Sequence, residues 1–413
     1  MATVSSTDGE ASAAVNNEGW NLPTDAFVEI LLRLSPSRRR LVRAVCRHWR
    51  DVIDERTPPI PPPKVLAFFS TRTSASAFVV DDLAGGRGRE VWGVTIDPST
   101  KSYIDIAMVG TCNGLLCLCD NAKPGGALAL FNPATGEKLR IPALPVSYRQ
   151  GMTRQRGLYK IRSWETYTFG YDATTGKYKI LHLPCREDVS RGFNVLQAFT
   201  LGHDASWRDV AVPGASCCPD AGIVSVGGAA YWVTNGVERF VCFDLKLERV
   251  AFDAPLPVGP GKIHLAEVNG RLGLVVRADT GTTPVTTEEV WVLGDGGDRL
   301  GWTRRYRVRA HGVGVEQQRL AAPYFAAHGG EYVVAMRTDE RWRKNLHAHR
   351  LREAGIWLPR GEVRSVRISE TGTVVASGVS GSNLRTFAYV ETTEPLSPYK
   401  IHRRGIHRGS AGK

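Results

Sequence analysis

From Lys64 almost to the C-terminus the chain holds no sustained helical periodicity, and that limits its fold more than any other feature. Short β-prone runs alternate instead with Gly, Asn, Asp and Pro turn residues. They include KVLAFFS, NGLLCL, ALALFNP, YTFGYD, YKILHL, VLQAFTL, WRDVAV, AAYWV, FVCFDL, RLGLVV, EVWVL, YVVAM and RTFAYVE. Many short strands with regular turn signals specify a sandwich, a barrel or a propeller. Weak internal repetition chooses among these. FNPATGEKLRIPALP (131–145) and FDLKLERVAFDAPLP (243–257) start with Phe-Asn or Phe-Asp and end with Leu-Pro at the same separation. FTLGHDASWRDVAVP (199–213) keeps the Phe-to-Pro distance, and Gly-containing strands (NGLLCL, GGAAYWV, and NGRLGLVV for a later copy) precede such units. Degenerate repeats several tens of residues apart fit propeller blades. Residues 65–395, at roughly 45 residues per blade, predict about seven blades, with six as the alternative.

The N-terminal region reads differently. Residues 1–19 are too polar to fold alone and are expected to be disordered. In NLPTDAFVEILLRL, Phe27, Ile30, Leu31 and Leu34 fall at i, i+3, i+4 and i+7, one face of an amphipathic helix. Pro23 suits the first turn, where its missing N–H costs nothing, and Asp25 and Glu29 lie toward the positive end of the helix dipole. SPS gives a second start, with Ser35 as cap and Pro36 just inside. The helix from there to about Ile53 carries Leu41, Val45, Trp49, Val52 and Ile53 on one side and Arg43, Arg47 and Arg50 on the other. TPPIPPPK (57–64) cannot continue a helix and favours a semi-rigid extended spacer. The expected organisation is therefore a disordered 1–19, a helical module at 20–56, a Pro-rich linker at 57–64, a β-propeller at 65–395 and a basic, disordered tail at 396–413. In class, this is a mainly β protein with a small α module at its N-terminus. Some forty residues are too few to bury a sufficient core, and blades bury their faces against one another. The apolar helical stripe is thus expected to complete its core on another chain, as a helix in a groove.

Composition excludes several classes. The hydrophobic fraction of 42% and charged fraction of 23% are ordinary for soluble globular proteins. A net charge of +12 favours acidic partners without bearing on fold. The eight cysteines (46, 112, 117, 119, 185, 217, 218 and 242) include no C-x-x-C pair, and Cys117 and Cys119 read as small core residues of one strand face. No ligand spacing for zinc is convincing. His347 and His349 of HAH read as exposed polar residues. No run approaches the ~20 apolar residues of a membrane span, and no secretory signal or lipidation motif is found. With unpaired cysteines, this points to cytoplasm or nucleus. Catalytic signatures are missing: no G-x-S-x-G elbow, Walker loop, H-E-x-x-H or G-x-G-x-x-G after a strand. His182, His203 and His264 are scattered, and His203 beside Asp204 reads as part of a turn.

The helical segment LPTDAFVEILLRLSPSRRRLVRAVCRHWRDVI (22–53) resembles the F-box motif, with an L-P start, an E-I-L-x-R-L helix and a V-C-x-x-W-R-x-x-I helix. The remainder resembles the plant F-box-associated domain, a kelch-like propeller. TCNGLLCLCD, LFNPATGEKLRIPALP, FGYDATTGKYKIL, SWRDVAVP, GGAAYWV and CFDLKLERVAFDAPLP occur in that family's order over roughly 111–257, and the likeness fades beyond about 310. This resemblance implies a non-catalytic substrate receptor of an SCF-type cullin–RING ubiquitin ligase. The F-box would dock a Skp-family adaptor, and through it cullin and RING subunits, while the propeller recruits a target protein that the sequence does not identify. Carried onto this chain, the adaptor face comprises Leu22, Pro23, Ile30, Leu31, Leu34, Val45, Cys46, Trp49 and Ile53. One departure is the SRRRLVR stretch; seven arginines and no carboxylate lie between 33 and 50. Such a surface speeds encounter with an acidic partner more than it adds affinity. No cofactor, metal or membrane is implied.

Two basic segments with interspersed aromatics are the candidates for target binding. They are VSYRQGMTRQRGLYKIRSW (146–164), with Tyr148, Tyr159 and Trp164, and RTDERWRKNLHAHR (337–350), with Arg341, Trp342 and Arg343. Loops carry recognition in such scaffolds, and Trp, Tyr and Arg anchor interfaces. The alternatives are a basic nucleic-acid-binding propeller and a glycan-binding one. Neither gives the apolar helical stripe a role.

Overall fold

The computed structural model describes residues 23–34, 39, 42, 45–57, 63–97, 99, 103–149, 163–185, 192–259, 261–278, 285–294, 301–311, 318–320, 324–325, 327–328, 332–350, 364–368 and 372–400. Strands β1 (Lys64–Ser70), β2 (Ser74–Asp82) and β3 (Arg87–Thr95) form most of the first sheet. The second is β4 (Ile106–Cys112), β5 (Leu115–Asp120), β6 (Ala127–Phe131) and β7 (Lys138–Arg140). The third is β8 (Tyr167–Asp172), β9 (Lys177–His182), β10 (Phe193–Thr200) and β11 (Arg208–Ala215). The fourth is β12 (Ile223–Val226), β13 (Ala229–Val233), β14 (Arg239–Asp244) and β15 (Arg249–Pro255). The fifth contains β16 (Lys262–Val268), β17 (Arg271–Ala278), β18 (Val285–Leu293) and β19 (Trp302–His311). There follow β20 (Gln318–Leu320), β21 (Tyr324–Phe325), β22 (Ala327–His328), β23 (Tyr332–Thr338), β24 (Arg343–Arg350), β25 (Arg364–Ile368), β26 (Thr373–Ser380) and β27 (Asn383–Tyr389).

The result is a six-bladed propeller, not the seven blades that repeat length favours. The remaining length goes into long connections, such as residues 141–166 between β7 and β8, and into two late strands that widen an existing blade: β21 pairs in parallel with β16, and β25 in parallel with β19. The sixth blade is built from β20, β22, β23, β24 and β26. β27 returns to the first blade and pairs with β1 from Lys64↔Tyr389 to Ser70↔Asn383, so backbone hydrogen bonds between the two ends of the β region close the ring.

Two-residue periodicity then explains the core. On β1, Leu66 and Phe68 pack toward the second blade with Met108, Leu116 and Leu118. Val65, Ala67 and Phe69 pack toward the sixth with Val334, Leu346 and Ala348. Every other interface has its own cluster, such as Cys117, Cys119, Phe169 and Ile180 between the second and third blades, or Trp232 and Phe243 between the third and fourth. Strands buried on both faces read as continuous apolar runs instead of alternating ones.

The sequence repeats map onto equivalent hairpins. The three fifteen-residue units are the outer hairpins β6–β7, β10–β11 and β14–β15. Asn113–Gly114 (φ 48° and 83°) and Asn269–Gly270 (φ 50° and 74°) turn the inner hairpins β4–β5 and β16–β17 with both residues left-handed, the conformation that suits strand twist. Gly114 has a second constraint, since a Cβ there would sit 2.2 Å from the Val390 carbonyl oxygen.

Antiparallel pairing gives the propeller two ends. The β4–β5 and β6–β7 turns, the start of β1 and the exit of β27 share one end, which receives the linker. The β1–β2 turn, the β3–β4 and β7–β8 connections, the β23–β24 turn and the β26–β27 turn share the other, here called the loop end. Its contiguity is seen in bonds from Ile96 N to Thr73 O and from Gly381 N to Trp342 O (2.9 and 3.0 Å).

The end of the chain departs from the expected tail. Leu396 is fully buried between the second and third blades. Buried Glu394 accepts hydrogen bonds from Tyr178 and Tyr399 hydroxyls at 2.8 and 2.6 Å, while Asn132 Nδ2 donates to its carbonyl at 2.7 Å. Residues up to Lys400 thus strap the linker end, and only 401–413 of the expected tail lie outside the described residues.

Among the described residues ahead of the propeller, α1 spans Thr24–Arg33 and α2 spans Arg47–Arg56. The helix expected to run unbroken from Ser35 to Ile53 is interrupted: Val45 is a bend, and Cys46 caps α2 in extended conformation at φ −159°. Pro23 caps α1, its carbonyl accepting from Phe27 N at 3.0 Å. Phe27, Leu31, Val52 and Ile53 form a small core of their own, joined by Val28, Leu34, Val42 and Trp49.

Candidate docking surfaces on the helical pair and the propeller

The helical pair sorts the sequence-derived adaptor residues into two groups. Leu31 and Ile53 are buried at 0% and 5% exposure in the seam between α1 and α2, and so present no surface to a partner in this arrangement. Leu34 is half-buried, and so is Trp49, whose ring meets Phe27 edge-on at 4.8 Å. Ile30 and Val45 remain 46% and 63% exposed, and Pro23 and Cys46 are exposed beside them. Leu22 lies outside the described residues. Helical period marks an apolar face without saying which residues meet the neighbouring helix. Here Phe27 and Leu31 are spent on Val52 and Ile53, and Ile30 is left over. Leu32, 42% exposed, escaped sequence reading because it lies off the stripe. Arg33, Arg47 and Arg50 are exposed around these positions.

On the propeller, topology brings the two target-binding candidates to the loop end. Tyr148 lies on a short helix, Val146–Arg149, and Trp164 on a 3-10 turn, Ser163–Thr166, both within the β7–β8 connection. Tyr159 lies outside the described residues. Arg341 and Trp342 form the β23–β24 turn and Arg343 opens β24; all three are exposed, Trp342 at 68%.

Several titratable groups inside the ring are held by neighbouring segments. His347 and His349 are buried at 7% and 6%, against the expectation of exposed histidines, because the backbone at Gly372 lies over them: His347 Nδ1 is 3.3 Å from Gly372 O, and a Cβ on Gly372 would run into the His349 ring. Burial, reinforced by His347 and Arg337, pushes His349 down to about 4. Burial likewise lowers His182 and His264 to about 4; His182 Nδ1 lies 2.8 Å from Gln197 Oε1. His203 stands on a turn as expected, its Nδ1 2.9 Å from buried Asp204. Between the third and fourth blades, Glu248 binds Arg208 through two bonds of 2.9 Å and Lys179 at 2.6 Å. Hydrogen bonds from Arg208 pull the Glu248 carboxyl down to about 2. These charges fasten neighbouring blades. Burial raises the Cys117 and Cys119 thiols, which suits inert core residues. Where the inner strands converge, a cavity of about 40 Å³ is lined by Thr111, Thr168, Ser225 and Glu267. Pockets for small ligands run to several hundred Å³. Among the described residues, no three His, Cys, Asp or Glu side chains are grouped to hold a metal ion.

Comparison with known proteins agrees with this architecture. The family described as F-box associated beta propeller domain matches residues 89–344, and the one described as F-box-like matches residues 20–57. The F-box protein At3g07870 of Arabidopsis thaliana is 24% identical over 337 residues, covering 73% of this chain and 76% of its own length. From the same plant, the F-box/kelch-repeat protein At3g13680 is 26% identical over 57% of this chain and 60% of its own. F-box protein DOR is 28% identical over 40% of each. The chain therefore belongs to the plant F-box proteins that carry an F-box associated beta propeller behind an F-box-like segment.

Proposed function

We propose that this protein is the substrate-recognition subunit of an SCF-type cullin–RING ubiquitin ligase. Its helical pair docks a Skp-family adaptor, which connects it to cullin and RING subunits, and its propeller holds a target protein for ubiquitylation. The observation that carries this reading is the apolar surface left on a module whose small core is already closed: Ile30 and Leu32 on α1, and Val45 on the bend before α2, stay 42–63% exposed on a pair of helices too short to stand alone. A partner groove covering them finishes the burial.

The role is positional. The chain supplies no bond-making residue; it raises the local concentration of a target lysine near a ubiquitin-loaded enzyme held elsewhere in the assembly. The topology suits that task, because the linker enters at one end of the propeller and the candidate target loops stand at the other. We place the protein in cytoplasm or nucleus, where such ligases meet their targets. Co-expression with a Skp-family adaptor and a cullin, followed by affinity purification, tests the proposal. Stoichiometric recovery of both is expected, and a chain that purifies without adaptor would overturn it.

A further inference from the structure

We infer that the β23–β24 turn is a preformed docking point for a protein segment that carries an apolar side chain next to a carboxylate, with Trp342 and Arg341 as its two anchors. The inference rests on the target-capturing role proposed above and names its chemistry.

Trp342 adopts φ +58°, a left-handed conformation that a bulky side chain rarely takes. Elsewhere in the described chain such positions explain themselves. Asn113 and Asn269 are turn residues that tolerate it; Glu248 (φ +51°) uses its side chain in the inter-blade ion pairs, and Val237 (φ +54°) packs on the core between the fourth and fifth blades. Trp342 alone among these keeps a large apolar side chain 68% exposed. The turn has no need of a tryptophan, and strained residues of this kind gather at binding sites.

The turn is also held firmly. Asp339 Oδ1 accepts from the backbone N–H groups of Arg341 and Arg343 at 2.9 Å each, and Oδ2 accepts from Arg343 Nε at 2.8 Å. Ser380 Oγ donates to Arg341 O at 2.8 Å and Gly381 N to Trp342 O at 3.0 Å, fastening it to the β26–β27 turn. An anchor fixed before binding loses little entropy on docking. Charge selects the occupant. Arg343 is neutralised by Asp339, whereas exposed Arg341 has no ion-pair partner among the described residues and matches a carboxylate. The chain as a whole carries a net charge of +12. The Glu340 carboxylate on the same turn disfavours a continuous phosphate backbone, so a protein segment fits better than a nucleic acid.

The test uses the purified full chain and a display library of random twelve-residue peptides, followed by fluorescence anisotropy on the enriched sequences. Enriched peptides should place Asp or Glu within a few residues of Phe, Leu or Trp. Trp342→Asn should weaken them tenfold or more while leaving the thermal midpoint unchanged or raised, because Asn accepts the left-handed backbone; Arg341→Ala should weaken them and flatten their salt dependence. Any of four results overturns the inference: no enrichment, neutral or basic consensus peptides, affinity indifferent to Trp342→Asn, or tighter Trp342-dependent binding of a single-stranded oligonucleotide. A midpoint lowered by several degrees in Trp342→Asn would do so too, by showing that the chain itself covers the ring. Adaptor co-purification on the same preparations keeps the two proposals apart. Retained adaptor without peptide binding removes only the turn's role, and lost adaptor in the unaltered chain removes the receptor reading.

Discussion

Replacing Ile30 and Val45 together by alanine separates docking from folding within the helical pair. Full burial of such a side chain is worth about 1.5–3 kcal/mol. Roughly half of Ile30 and somewhat more of Val45 remain exposed, at 46% and 63%, so a partner groove recovers about 1 kcal/mol from each. Alanine keeps part of that contact, and the pair of changes should cost about 1.5–2 kcal/mol, or roughly tenfold to thirtyfold in dissociation constant. Neither side chain lies in the buried seam, so helical circular dichroism and the thermal midpoint should hold. Leu31→Ala is the contrast. Its side chain is fully buried against α2, and truncation should cost about 2–5 kcal/mol of folding free energy, enough to melt so small a module. Titration of a purified Skp-family adaptor into each variant, by calorimetry, reads both effects. Unchanged affinity in a folded Ile30→Ala/Val45→Ala variant would refute the assignment of this face to the adaptor.

Other consequences concern the propeller. Glu248→Gln leaves Lys179, only 6% exposed, without its counter-ion, and should destabilise the domain by about 3 kcal/mol in urea unfolding; a change below about 0.5 kcal/mol would mean the network is ornamental. Leu396→Ala should lower the unfolding midpoint by the equivalent of about 2–4 kcal/mol, whereas a residue in a solvated tail would give almost nothing. Stability should also fall with acid. His182, His264 and His349 are held near 4 in the folded state against about 6.5 unfolded, so the unfolded chain takes up protons that the folded one refuses. Between about pH 6.5 and 4 each contributes a slope of up to about 1.4 kcal/mol per pH unit, with no effect above that window. His264→Gln should reduce the slope measured by urea midpoints at pH 7, 6 and 5, and an unchanged slope would contradict the burial argument.

Much of the candidate site was legible as a segment and not as a surface. The L-P start, the Ile30–Leu31–Leu34 stripe and the Val45–Cys46–Trp49 run mark the helical module, but Leu31 and Ile53 proved to be its inner seam. Likewise, Trp342 among arginines stood out in the sequence, whereas its left-handed backbone and its place on the same propeller end as Tyr148 and Trp164 did not. The burial of His347 and His349 has no local sign, because it comes from the backbone at Gly372, remote from them in sequence.

Local chemistry sufficed for everything that depends on near neighbours along the chain. Asn-Gly pairs set the inner hairpins, the fifteen-residue units set the outer ones, and runs of apolar residues bounded by turns set strands buried on both faces. These follow from steric limits on φ and from the two-residue period of a strand, which need no knowledge of distant residues. Tertiary structure alone decided the blade count, the return of β27 to β1, the strap that buries Leu396, and which apolar side chains of the helical pair face outward. Each of these is a choice of partner made between segments remote in sequence: Lys64 has no local sign that Tyr389 will be its neighbour. Such choices are settled by which closed arrangement buries the most apolar surface with every backbone group paired, a property of the whole ring that no stretch of it carries.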